Sequence, residues 1–73
     1  MNKKTVLISI TSEFITLGQF LKFSNIISSG GEAKAFLAVN EVKINGEIDC
    51  RRGRKLRDGD EIEINNQLYR ITQ

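Results

Sequence analysis

Ser28-Ser29-Gly30-Gly31-Glu32-Ala33-Lys34-Ala35-Phe36-Leu37-Ala38-Val39-Asn40-Glu41-Val42-Lys43-Ile44-Asn45-Gly46-Glu47-Ile48 changes its hydrophobic period midway, and that change decides the fold. In the first half Ala33, Phe36 and Leu37 recur at the spacing of one helical face, with Lys34 off the stripe. Ser29 and Glu32 sit where a capping box would open this helix. Asn40 suits the left-handed position that ends one. From Glu41 onward the period is two. Val42 and Ile44 alternate with Lys43, and Asn45-Gly46 is the strongest short hairpin-turn signal a sequence carries. Ile48 and Cys50 continue the return strand, with Cys50 read as buried filler.

Upstream, a first helix follows the same scheme. Thr16 and Gln19 form a capping box, and Ile15 and Phe20 a hydrophobic staple across it. Leu17, Phe20 and Leu21 share one face, Lys22 points elsewhere, and Ser24-Asn25 closes the helix. Before it, Thr5 to Ile10 is rich in β-branched residues and reads as a strand. Downstream of the hairpin comes the loop Arg51-Arg52-Gly53-Arg54-Lys55-Leu56-Arg57. Asp58-Gly59 then marks a turn, Ile62 and Ile64 alternate with Glu61 and Glu63, Asn65-Asn66-Gln67 turns again, and Leu68 to Thr72 forms a last strand. The order is strand, two helices, then four short strands. This predicts an α+β domain with two short packed helices against a small, mostly antiparallel sheet of about four to five strands.

The 73 residues are room for one domain, residues 1–73. A chain this short buries only roughly 60% of its unfolded surface, so its core is thin and a deep enclosed active site is not expected. The net charge of +2 is unremarkable, but its distribution is not: five of the eleven Lys and Arg fall between Arg51 and Arg57. Arg outnumbers Lys there four to one, and Arg suits bidentate phosphate contact and stacking. Like charges so crowded repel each other unless counter-ions or a partner screen them.

Other chemistries find little support. There is no His, and Cys50 is the single cysteine. No internal disulfide can form, which fits a reducing cytosol. No Gly-rich phosphate loop follows a strand. Asp58 and Asp60 flank a glycine in what reads as a plain turn rather than a metal or acid/base site. No cofactor is expected. The head of the chain, Met1-Asn2-Lys3-Lys4 and the apolar Thr5 to Ile10, is too short for a leader and lacks a cleavage site. No stretch approaches the ~20 apolar residues of a membrane span. A non-catalytic, cytoplasmic protein is the expectation.

Four segments together resemble a known family. They are Leu17-Gly18-Gln19-Phe20-Leu21-Lys22, Ser28 to Lys34, Val42 to Glu47, and Lys55-Leu56-Arg57-Asp58-Gly59-Asp60-Glu61-Ile62. In this order and spacing, over residues 16–64, the chain is similar to the S-four-type RNA-binding domain, named for ribosomal small-subunit protein four. Gly30 to Lys34 and Arg52 to Leu56 look most like its small stand-alone YaaA-like members. The resemblance implies the αL-type RNA-binding fold, in which the helix pair and the following hairpin make one RNA-facing surface. It also implies ribosomal RNA, or a ribosomal particle, as partner, and a role in ribosome assembly or maturation.

By that resemblance Gly30, Gly31, Lys34, Lys43, Asn45 and Gly46 are candidate contacts, added to Arg51, Arg52, Arg54, Lys55 and Arg57 of the basic loop. Two departures shift weight onto that loop. Many members carry Arg-Leu-Asp where this chain has Thr16-Leu17-Gly18, and Ser-Arg where it has Ser29-Gly30. Recognition is expected to rest on backbone phosphates, because an RNA duplex hides its base edges in a deep groove. The hairpin is expected to set the loop beside Lys43, the Gly30-Gly31 helix start and Lys34. Two other readings compete. The loop could dock an acidic protein partner. The Asn45-Gly46-Glu47 and Leu56 to Ile62 segments also occur in ubiquitin-like sulfur carriers, but those need a Gly-Gly end where this chain has Ile71-Thr72-Gln73.

Overall fold

The computed structural model describes residues 4–73, so Met1–Lys3, the head of the stretch weighed as a leader, lie outside the described residues. Strand β1 spans Val6–Ser9 and β2 Ile15–Thr16, running directly into helix α1, Leu17–Phe23. A 3₁₀ turn, Gly30–Glu32, opens helix α2, Ala33–Val39. Five strands follow: β3 Val42–Ile44, β4 Glu47–Ile48, β5 Lys55–Leu56, β6 Glu61–Ile64 and β7 Gln67–Thr72. The main sheet has the order β1-β7-β6-β3-β4, antiparallel except for the β1–β7 pair, while β2 and β5 form a separate two-stranded ribbon. The predicted α+β arrangement is present. The ribbon was not foreseen, because two-residue strands leave no alternation to read.

Alternation sets the two faces of the sheet. Ile8, Val42, Ile44, Ile62, Ile64 and Ile71 point inward and are buried with Leu17, Phe20, Leu21, Ala33 and Leu37 of the helices. Burying such side chains stabilises the fold by about 1.5–3 kcal/mol each. Tyr69 joins them as packing, its ring edge-to-face on Phe20 at 5.3 Å. The other face carries Lys43, Glu61, Glu63 and Arg70, and both helices pack on the opposite one.

The caps show where local chemistry prevailed. At α1 the predicted box forms: Thr16 Oγ1 accepts the Gln19 N–H and Gln19 Oε1 accepts the Thr16 N–H. At α2 it does not. Ser29 makes no side-chain cap bond, and Glu32 Oε2 instead accepts the Ser28 N–H at 2.8 Å, because the 3₁₀ turn advances the helix start. Asn40 is extended (φ −121°) rather than left-handed, since the chain enters β3 almost at once; its Nδ2 donates to Phe36 O instead. The left-handed residue after a helix is Asn25, φ 63°. Asn45-Gly46 makes the expected hairpin turn with φ 52° and 87°, the values a type I′ turn requires. The return strand ends at Ile48, so Cys50 is exposed rather than buried. No helix among the described residues is long and apolar enough to cross a membrane.

Candidate nucleic-acid interface

The basic loop does not hang free. It leaves β4 at Asp49, whose N–H donates to Val42 O at 2.9 Å. Residues Arg51 to Arg54 form a turn closed by the Arg54 N–H on Arg51 O. The loop then docks on the start of α1: Leu17 N–H donates to Arg54 O at 2.8 Å and Gly18 N–H to Arg52 O at 3.0 Å. Helix starts leave such donors without intrahelical partners, so loop and helix satisfy each other. A Cβ at Gly18 would make only ordinary contacts, 3.6 Å from Arg52 O and 3.7 Å from the Ala33 Cβ, so it is the backbone N–H rather than the missing side chain that seats the loop.

Docking places Arg52 between two open grooves on the helix side. One, about 470 Å³, is lined by Thr16, Gly18, Gln19, Lys22, Gly30, Ala33, Arg52 and Gly53. The other, about 240 Å³, is lined by Lys34, Leu37, Ala38, Cys50 and Arg52. Neither lining contains an acid. Among the described residues Lys22, Lys34 and Arg52 have no ion-pair partner. Three unpaired cations along one surface make a field suited to polyanion binding. The structure therefore brings together Gly30, Lys34 and Arg52 from the sequence prediction. A Cβ on Gly30 or Gly31 would meet nothing within 4 Å, and neither has a positive φ, so neither packing nor backbone conformation demands glycine there.

The remaining cations of the loop fall into two groups. Arg51 and Arg54 both reach Asp49, at 2.8 Å and 3.4 Å. Hydrogen bonds from the Arg51 side chain, then from its backbone N–H, lower the Asp49 carboxyl to about 2. Lys55 and Arg57 lie over the Phe14 ring at 4.9 Å and 5.6 Å from its centroid, within cation–π range.

The hairpin residues are placed elsewhere. Lys43 does not join the loop: it projects from the outer face of the sheet, 3.9 Å from Glu41, in a groove with Glu63, Asn65 and Asn66. Strand alternation aims it away from the helices, since its neighbours Val42 and Ile44 fill the core. The Asn45 side chain is taken up by the fold, its Oδ1 accepting the Glu61 N–H and its Nδ2 donating to Asp60. Gly46 supplies the turn. Reading the sequence missed Lys22, Asp49 and Phe14. Lys22 was legible, standing four residues after Gly18 and so on the same helical face. Asp49 and Phe14 act across the chain, and no local spacing marks them.

Comparison with known proteins places the chain in a family. The family model described as S4 domain matches residues 8–72. The chain is 61% identical over 57 residues to the Bacillus subtilis (strain 168) protein named Probable ribosome maturation protein RlbA, a match covering 78% of this chain and 80% of that one. Since the match to the family model takes in both helices, the sheet and the docked loop, the chain belongs to the S4 domain family.

Proposed function

We propose that this protein binds structured ribosomal RNA through its backbone phosphates, without catalysis, and acts in ribosome maturation. The observation that carries this reading is the acid-free surface around Arg52, where Lys22, Lys34 and Arg52 converge beside the open backbone of Gly30. Family membership and a relative named for ribosome maturation support it. Phosphates are the ligands such a surface fits: the grooves are shallow, their cations point outward, and contacts of this kind set affinity and register rather than base choice. Arg51, Arg54, Lys55 and Arg57 add further positive charge along the same loop. Lys43, Asn45 and Gly46 have no direct part in it.

The test is titration of end-labelled ribosomal RNA fragments at several salt concentrations. If three to five phosphates are engaged, the log–log slope of affinity against salt is about −3 to −5. A flat response would refute the phosphate mechanism. Crosslinking in cells gives the complementary result: recovery of ribosomal RNA supports the reading, and recovery of proteins alone would favour an acidic protein partner.

A further inference from the structure

We propose that Asp49 is a positioning residue for RNA binding: its carboxylate holds Arg51 and Arg54 so that the loop between them carries Arg52 into the groove. The inference rests on the RNA-binding reading above. By charge alone Asp49 is out of place, since an acid beside a phosphate site weakens attraction for a polyanion. Yet it is the most engaged side chain in the region. Its Oδ1 accepts the Arg51 N–H at 3.0 Å and Arg51 Nε at 3.1 Å, and its Oδ2 accepts Arg51 Nη2 at 2.8 Å. Arg54 Nε lies 3.4 Å from the same Oδ2. The Asp49 side chain is only 15% exposed, whereas that of Arg51 is 73% exposed.

The carboxylate is itself anchored, because its own N–H extends the ladder onto β3 at Val42. The loop is thus pinned at two places: by Asp49 at Arg51 and Arg54, and by α1 at the carbonyls of Arg52 and Arg54. Arg52 stands between the pins, without an ion-pair partner among the described residues. Arg51 Nη1 makes no hydrogen bond among the described residues, which leaves it a donor for phosphate. Freezing long arginine side chains before binding removes an ordering cost that would otherwise be met in the complex.

Charge and geometry predict opposite signs, which makes the proposal testable. Asp49→Asn raises the net charge by one. If electrostatics alone governed, end-labelled ribosomal RNA fragments would bind more tightly. If Asp49 positions the loop, binding weakens by roughly 5- to 30-fold. Asp49→Ser, which keeps an oxygen able to accept the Arg51 N–H, should weaken it similarly. In an Arg51→Gln, Arg54→Gln background, Asp49→Asn should change affinity less than about twofold, because its effect passes through those arginines. A purely structural defect would persist in that background.

Wild-type protein that binds RNA alongside an Asp49→Asn variant that binds equally or more tightly overturns the proposal. Failure of the wild type to bind RNA overturns the functional reading first, and the proposal with it. Should the variants not fold, NMR relaxation of the arginine Nε–H groups in the wild type decides. Arg51 and Arg54 must be more ordered than Arg52, and equal disorder in all three refutes the positioning role.

Discussion

The groove beside α2 and the groove on the open face of the sheet are both built around cations, and they differ in what else lines them. Around Arg52 the partners are Lys34, Leu37, Ala38 and Cys50 on one side and glycines with Lys22 on the other. Around Lys43 they are Glu41, Glu63, Asn65 and Asn66. Arg70 on the same open face is paired with Glu61. The sheet face neutralises itself, as alternating strands with opposite charges across a pair do. The helix face does not. A net charge of +2 thus conceals one surface near neutrality and another strongly positive.

The sharpest way to break this comparison is to reverse charge on each face separately. Lys34→Glu with Arg52→Glu should weaken binding of ribosomal RNA fragments by about 100-fold or more, and should make the salt slope shallower by about 2. Lys43→Glu, the same chemical change on the sheet face, should alter affinity less than about twofold. Both proteins should melt as cooperatively as the wild type, because all three positions lie outside the core. Equal losses from the two faces would mean that RNA does not choose between them.

A smaller effect separates backbone from side chain on the helix face. Gly30→Ala with Gly31→Ala adds two methyl groups that meet nothing within 4 Å. With no positive φ to oppose it, each substitution should stabilise the fold by about 0.4–1 kcal/mol. If phosphates approach the bare backbone there, the more stable variant should bind RNA several-fold more weakly. Denaturant titration and RNA titration of the same sample check both halves. A gain in stability with unchanged affinity would move the contact wholly onto side chains.

The fold was largely legible because its signals are local. Capping at Thr16, the helical stripes and Asn45-Gly46 each specify a few neighbouring residues, and each appears as read. Where one element must meet another, the sequence was silent. Asn40 could not be read as extended without knowing that β3 follows immediately in space. The β2–β5 ribbon joins Ile15 to Leu56, far apart in the chain. The site divided along the same line. Gly30, Lys34 and the arginines were visible as types in a pattern. That Lys43 faces the other way followed from its alternation with Val42 and Ile44, and the resemblance pulled against that reading. In the sequence Asp49 is one acid among several flanking the loop, and only the folded turn brings Arg51 and Arg54 onto its carboxylate.

The smallest expected effect concerns that carboxylate and separates the loop's internal ion pairs from its role in binding. Arg51 holds the Asp49 carboxyl at about 2, below its ordinary 3.8. A carboxylate favoured in the folded state contributes stability above its unfolded pKa, and that contribution is lost as pH falls through the folded value. The stability difference between wild type and Asp49→Asn should therefore be full at pH 7, shrink from about pH 4 downward, and be mostly lost by pH 2. Arg51 is 73% exposed, and water screens such a pair, so the full difference should be small. Urea denaturation of both proteins at pH 7, 4 and 2 measures it. A difference that does not change with pH would mean that the amide disturbs the turn rather than the charge. Asp49 would then act on the helix face through hydrogen-bond geometry alone, and the contrast with the self-neutralised sheet face would rest on the unpaired cations Lys22, Lys34 and Arg52.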